Sequence, residues 1–142
     1  MLESFLIEKT LPNIILAGKQ GIGKTLISKL LITELGADHL FINCGYEGTI
    51  DVIRSKVVDF CNAMRLNTDV PKIVVLDEAD SLSRETAGSS AQKALRNIIQ
   101  ESSDDTRFIL TCNYLGNIIE PLQSRCVPIG RTRRTLTIRL RS

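Results

Sequence analysis

Residues 18–25, Gly-Lys-Gln-Gly-Ile-Gly-Lys-Thr, fit the pattern G-x-x-x-x-G-K-[ST], and no other stretch of the chain constrains the fold as strongly. The spacing has a physical cause. Gly18 and Gly23 let the backbone turn tightly, so that successive N–H groups converge on a phosphate at the start of the next helix, an end that already favours anions. Lys24 adds a point charge suited to β and γ phosphates, and the Thr25 hydroxyl is a ligand for Mg²⁺. Gly21, Ile22 and Leu26 complete the expected phosphate-binding stretch.

A glycine-rich turn between two core elements also fits so loose a pattern, so the flanks decide. Asn13-Ile14-Ile15-Leu16-Ala17 reads as a buried strand, and Ile27, Leu30, Leu31 and Leu35 recur at helical spacing until Gly36 ends the run. Strand, loop and helix therefore follow in the required order. Asp77, 52 residues after Thr25, ends a second apolar run, Lys72-Ile73-Val74-Val75-Leu76-Asp77-Glu78-Ala79-Asp80. A strand covered on both faces by helices looks like this, its acids emerging at the carboxyl end where ligands of open α/β sheets bind. Asp77 is then placed to hold Mg²⁺ and Glu78 to polarise an attacking water. A water-activating acid separates hydrolytic ATPases from nucleotide kinases. A solvated acidic turn is the alternative reading of the pair.

At 142 residues the chain is expected to be one domain with a sound core. Its formal charge is +2, yet Arg131, Arg133, Arg134, Arg139 and Arg141 lie in the last dozen residues; taking those five away leaves −3. Any nucleic-acid contact must come from a local patch. Cys44, Cys61, Cys112 and Cys126 are scattered, with only His39 as an imidazole partner, so a zinc site is not expected. Without a secretory signal or a long apolar span, the thiols read as reduced and partly buried in a cytosolic protein that does not enter a membrane. His39 reads as a strand-edge residue.

Further elements alternate: a short strand at 40–43, a helix from about 50 to 65 with Ile50, Ile53, Val57, Phe60 and Met64 on one face, and the strand closed by Asp77. A helix capped by Ser89 or Ser90 follows, with Ala91, Ala94, Leu95, Ile98 and Ile99 as its stripe, then strands at 108–112 and 126–129. Such alternation predicts a parallel sheet with helices on both faces. Asn113 ends one of these strands, where a γ-phosphate contact and a turn-capping role fit equally well. Arg125 follows a short helical turn at a position expected to be exposed. Most such arginines only solvate a surface. One presented across a subunit joint neutralises charge on a neighbour's phosphate, worth about 10³ to 10⁵ in rate. Arg54, Lys56, Lys93 and Arg96 lie off the apolar stripes of their helices, which fits either a solvated face or a track for a phosphate backbone.

Several segments appear in one order: Leu11-Pro12-Asn13, Gly48-Thr49-Ile50-Asp51-Val52-Ile53-Arg54, Asp77-Glu78-Ala79-Asp80-Ser81-Leu82, Ala91-Gln92-Lys93-Ala94-Leu95-Arg96, Cys112-Asn113 and Ile118-Ile119-Glu120-Pro121-Leu122-Gln123-Ser124-Arg125-Cys126. Together they resemble the AAA+ ATPase domain of sliding-clamp loader subunits, the replication factor C small-subunit type and its phage counterparts, over about residues 2–129. The resemblance implies ATP and Mg²⁺ as cofactors, with Gly21, Gly23, Lys24 and Thr25 on the phosphates, and Thr25 and Asp77 on the metal. It implies Glu78 as the water-activating base, Asn113 as a sensor and Arg125 as an arginine finger acting in trans. It also implies that Arg54, Lys56, Lys93 and Arg96 face primer-template DNA. The resemblance also implies that Gln92 lies between the nucleotide and DNA sides.

The resemblance further implies a three-layer α/β/α core with a five-stranded parallel sheet, order 5-1-4-3-2, over residues 1–129. A basic tail, 130–142, carries no family motif. By the same resemblance, this core is expected to lack the family's adenine-covering N-terminal segment, lid and collar. The expected function is ATP-driven opening and loading of a processivity clamp onto primed DNA, in a hetero- or homo-oligomeric ring of loader subunits. The expected location is the cytoplasm, or the nucleus or a host's cytoplasm, depending on the source. A stand-alone P-loop kinase for nucleotides or small molecules, or a catalytically inert assembly subunit, stays open at this point.

Overall fold

A computed structural model describes residues 11–21, 23–46, 49–84, 88–102, 104–131 and 136–138. Five strands, β1 (Ile14–Ala17), β2 (His39–Asn43), β3 (Lys72–Asp77), β4 (Thr106–Cys112) and β5 (Val127–Arg131), form the parallel part of one sheet in the order β2-β3-β4-β1-β5. This is the expected order. A sixth strand, β6 (Leu136–Ile138), is added antiparallel to β5 within the segment that reads from sequence as a tail. Helices α1 (Lys24–Leu35), α2 (Ile50–Asn62), α3 (Gly88–Glu101) and the short α4 (Glu120–Gln123) connect the strands.

The period-two geometry of the strands sorts their side chains between two cores. Ile14, Leu16, Ile73, Val75, Ile109 and Ile129 pack with Ile27, Leu31, Ile32 and Leu35 of α1. Ile15, Ile42, Val74, Leu76, Phe108 and Leu110 pack on the opposite face with Ile53 and Val57 of α2, with Leu95, Ile98 and Ile99 of α3, and with Leu122 of α4. The result is three layers, α1 on one side of the sheet and α2, α3 and α4 on the other. Strands buried on both sides explain the unbroken apolar runs of β1 and β3.

Some sequence expectations shift. In α1 the buried arc runs through Ile27, Ser28, Leu31, Ile32 and Leu35, so Leu30 lies outside it and is 55% exposed. Helix α2 stops at Asn62, before the expected position 65, and Met64 beyond it is 90% exposed rather than part of the apolar face. Ser89 and Ser90 fall inside the first turn of α3 instead of preceding it. Strand β4 starts two residues earlier than expected, at Thr106.

The stop of α2 has an identifiable cause. Lys72 opens β3 and is almost fully buried, and its ammonium donates to the carbonyls of Phe60 (2.6 Å), Cys61 (3.2 Å) and Ala63 while lying 5.1 Å from the centre of the Phe60 ring. A cation at this end also complements the helix dipole. Only Ile53 and Val57 of α2 are fully buried, at about 1.5–3 kcal/mol each, so this anchor is a substantial part of what fixes the helix. Lys72→Met keeps the apolar stem and removes the three hydrogen bonds. It is expected to lower unfolding stability by about 1.5–3 kcal/mol in urea titration, and an unchanged midpoint would exclude the anchor.

Candidate functional site

The register of the central strands brings three chain segments to one place. Ala17 pairs with Cys112 and Leu76 with Leu110, so β1, β3 and β4 end at the same height. Beyond those ends lies a cleft of ≈ 360 Å³, lined from the first loop by Gln20, Gly21, Gly23, Lys24, Thr25 and Leu26, and from the strand ends by Asp77, Glu78, Asp80, Thr111, Cys112 and Asn113. Carboxyl ends of parallel strands are where such sheets bind ligands.

The loop is shaped by Gly21 (φ 88°) and Gly23 (φ 93°), left-handed positions that an L side chain would strain. Gly23 is the N-cap of α1, with no side-chain cap and no acid in the first turn, which leaves that helix end suited to an anion. The Lys24 ammonium sits between the Gly18 carbonyl and the Asn113 side chain, donating to both, the latter over 3.0 Å. Asn113 is in turn fixed by its backbone N–H, which donates to Asp80 Oδ2 at 3.1 Å. The backbone N–H of Gly18 donates to the Cys112 carbonyl at 3.1 Å, tying the start of the loop to the end of β4.

At the end of β3 the two acids part company. Asp77 continues the row of Ile73 and Val75 on the α1 face, where its Oδ1 accepts from Thr111 Oγ1 at 2.6 Å and meets Thr25 Oγ1 at 3.5 Å. Glu78 turns away with φ 55°, the one non-glycine residue with positive φ among those described. That conformation costs about 1–2 kcal/mol. Three hydrogen bonds hold it: Glu78 N–H to Thr111 Oγ1 (3.0 Å), and its carbonyl to the Ser81 N–H (3.0 Å) and hydroxyl (2.8 Å). Its carboxylate lies over the turn after β2, where a Cβ added at Gly45 would stand 2.7 Å from Glu78 Oε2.

Thr25 and Asp77 offer a hydroxyl and a carboxylate side by side, the hard oxygen donors that suit Mg²⁺, which completes its shell with water and phosphate oxygens. Among the described residues no group of three or more His, Cys, Asp or Glu side chains is placed to hold a metal. Burial above all pushes the Cys112 thiol up to about 12; the Asp80 charge adds to this and Lys24 opposes it.

Of the residues picked from sequence, Gly21, Gly23, Lys24, Thr25, Leu26, Asp77, Glu78 and Asn113 meet at the cleft, while Gly18 closes it through its carbonyl. Ile22 lies outside the described residues. Arg125 is exposed and away from the cleft lining, bonded to Gln100 at 3.5 Å. Arg54 and Lys56 on α2, and Lys93 on α3, are exposed, and Arg96 on α3 is half-buried against Asn97. The two helices pack side by side on one face of the sheet, and none of these four residues lines the cleft.

Sequence reasoning passed over Asp80 and Thr111. A polar residue inside the apolar run of β4, two positions before Asn113, is the signal that marks Thr111. Gln92 is 1% exposed, its amide nitrogen donating to the Asn117 carbonyl (2.9 Å) and its oxygen accepting from Ile119 N–H (2.7 Å), which ties α3 to the segment leading to Arg125. None of the four cysteines forms a disulfide, and three of them are buried. No helix among the described residues is long and apolar enough to cross a membrane.

Residues 14–133 match the family described as ATPase family associated with various cellular activities (AAA). The chain is 42% identical over 130 residues to the replication factor C small subunit of Saccharolobus solfataricus, covering 87% of this chain and 38% of the relative. It is 38% identical over 131 residues to that of Methanosarcina barkeri, covering 88% of this chain and 38% of the relative. It thus spans well under half the length of these relatives. In fold it is similar to the Aeropyrum pernix ORC1 protein in complex with DNA (TM-score 0.65, 19% identity, 91% of this chain and 42% of that one). It is also similar to a Thermotoga maritima RuvB mutant (TM-score 0.61, 17% identity, 88% and 39%).

A thiol pKa raised in the folded chain favours the neutral form. The stability it lends is full below the ordinary thiol range and is lost as pH climbs toward about 12. The urea midpoint of the parent chain is therefore expected to fall more steeply over that range than that of Cys112→Ala. At about pH 8, iodoacetamide is expected to spare Cys112 in the folded chain. Parallel pH profiles for the two chains, or fast alkylation of Cys112, would contradict this.

Proposed function

Because the chain belongs to the ATPase family associated with various cellular activities (AAA), we propose that it is the nucleotide-binding core of a sliding-clamp loader subunit, which couples ATP binding and hydrolysis to placing a processivity clamp on primed DNA. The observation that carries this reading is the meeting of Lys24, Thr25, Asp77, Glu78 and Asn113 at one cleft, in a chain about 40% identical to replication factor C small subunits. A solvated acidic turn would have no reason to lie against the glycine loop.

In this reading the Gly21–Thr25 backbone and the α1 N-terminus receive the phosphates, and Lys24 neutralises the β and γ groups. Thr25 and Asp77 would hold Mg²⁺, which would supply charge neutralisation to the phosphates. Glu78 takes the proton of the attacking water, and Asn113 orients that water against the γ-phosphate. Arg125 is presented from an exposed position, outside its own cleft, as an arginine acting on a neighbouring subunit's ATP requires. Arg54, Lys56, Lys93 and Arg96 occupy two adjacent helices and would contact the phosphate backbone of primer-template DNA.

The partners are other loader subunits in a ring, the clamp and the DNA, wherever the replisome of the source resides. ATP shifts such an assembly only by its differential affinity for the clamp-open and clamp-released arrangements. A kinase would need an acceptor site beside the cleft. An inert subunit would have no use for a glutamate held in a costly backbone conformation.

The test is ATP turnover by the chain alone and with partner subunits, clamp and primed DNA, beside Lys24→Ala, which should abolish ATP binding. Phosphate transfer to a small acceptor, or no ATP binding by the parent, would sink the reading. Arg125→Ala is expected to leave ATP affinity unchanged and slow turnover about 10³-fold or more in the assembled ring alone. An equal loss in the isolated chain would refute action in trans.

A further inference from the structure

We propose that Thr111 is the positioning residue of this site: a single buried hydroxyl that sets both the Asp77 carboxylate and the Glu78 peptide. The inference rests on the ATPase reading above and assigns a role to a side chain that the cleft's motifs do not include.

Thr111 is 1% exposed and sits on β4 between two neighbours, opposite Leu16 of β1 on one side and beside the end of β3 on the other. Its hydroxyl uses its one donor and one of its two acceptor lone pairs. An ionised carboxylate can only accept, so the 2.6 Å contact with Asp77 Oδ1 takes the one hydroxyl proton. An amide can only donate, so the 3.0 Å contact with Glu78 N–H takes an oxygen lone pair. Neither bond can reverse, and the pair fixes the rotamer of Thr111 from two sides.

The consequences for the two acids differ. Asp77 is turned toward Thr25, 3.5 Å from its hydroxyl, so the metal-binding oxygens of two separate elements face each other. Glu78 is held in its left-handed backbone conformation, which directs its carboxylate toward the turn at Gly45. A further tie joins the same elements, from the Asn113 N–H at the end of β4 to Asp80 beyond β3. The ends of β3 and β4 are thus joined by three hydrogen bonds through side chains after their ladder has ended. Without the hydroxyl, the Glu78 N–H would face an apolar group in a partly buried place, and Asp77 would be free to rotate away from Thr25.

Partners that orient a metal-binding group influence metal affinity by about 10- to 100-fold. The experiment is therefore binding of a fluorescent ATP analogue to the full chain, titrated with Mg²⁺ and repeated in EDTA, for the parent, Thr111→Val and Thr111→Ser. Valine keeps the shape and loses the hydroxyl; serine keeps the hydroxyl. The Mg²⁺ concentration for half-maximal tightening is expected to rise about 10- to 100-fold in Thr111→Val and to stay within about threefold of the parent in Thr111→Ser. Affinity in EDTA should be equal in all three, which a merely structural loss would not leave untouched.

A Thr111→Val chain that folds and titrates like the parent overturns the inference while leaving the ATPase reading in place. A parent that binds no nucleotide in either condition overturns the reading and the inference with it. If the valine chain does not fold, Thr111→Ala supplies the hydroxyl-free comparison. There, Mg²⁺ dependence equal to that of the parent is again the refuting result.

Discussion

The alignment of strand ends governs the rest of this molecule. Parallel strands β1, β3 and β4 stop at one level because their ladders are in register, and a strand's carboxyl end is where a chain leaves the apolar layer and becomes polar. Residues far apart in sequence, from Gly18 to Asn113, therefore reach the same cleft without any long side chain having to stretch. A one-residue slip of β3 against β4 would place Asp77 on the wrong face of the sheet and separate it from Thr25. Packing of Ile73, Val75 and Ile109 against one side, and of Val74, Leu76, Phe108 and Leu110 against the other, forbids that slip. The core thus does more than supply stability, since its two-sided burial selects the register on which the chemistry depends.

Much of this was legible in the residues. The glycine loop gained its meaning from the strand and helix that flank it, and the apolar run that ends in acids gained its meaning from standing beside that loop. Strand order and the three layers followed from βα alternation and from the family likeness. What escaped was set by tertiary neighbours. Leu30 has the spacing of a core residue, but the buried arc of α1 turns toward Ser28 and Ile32 and leaves it in solvent. Met64 continues the apolar pattern of α2 past the point where Lys72 takes the helix's last carbonyls. That lysine looks like any other charged residue at the start of a strand until its depth is known. The β6 strand falls in a segment whose composition speaks only of charge.

Polar residues at depth were the hardest to foresee. Thr111 lies in no motif and Gln92 in one that gives it no contact, and both are about 1% exposed with hydrogen bonds to specific partners. Burying such groups unpaired costs free energy, so their presence signals a fixed arrangement around them. In Thr111 that arrangement is the acid pair, and in Gln92 it is the segment between Asn117 and Ile119. A threonine interrupting an apolar strand, or a glutamine beside an apolar stripe, is a weak flag in sequence and a strong one in a folded chain.

The left-handed backbone at Glu78 also bears on how this chain tolerates change. Glycine reaches φ 55° without penalty and asparagine with little, so a sequence selected for folding alone would favour either there. Glutamate is the choice of a protein that gives up some robustness to keep an acid in a particular orientation. In the proposed reading, position 78 is a place where selection for heat resistance and selection for ATP hydrolysis pull apart, and where the variant easiest to purify would be the one least able to work.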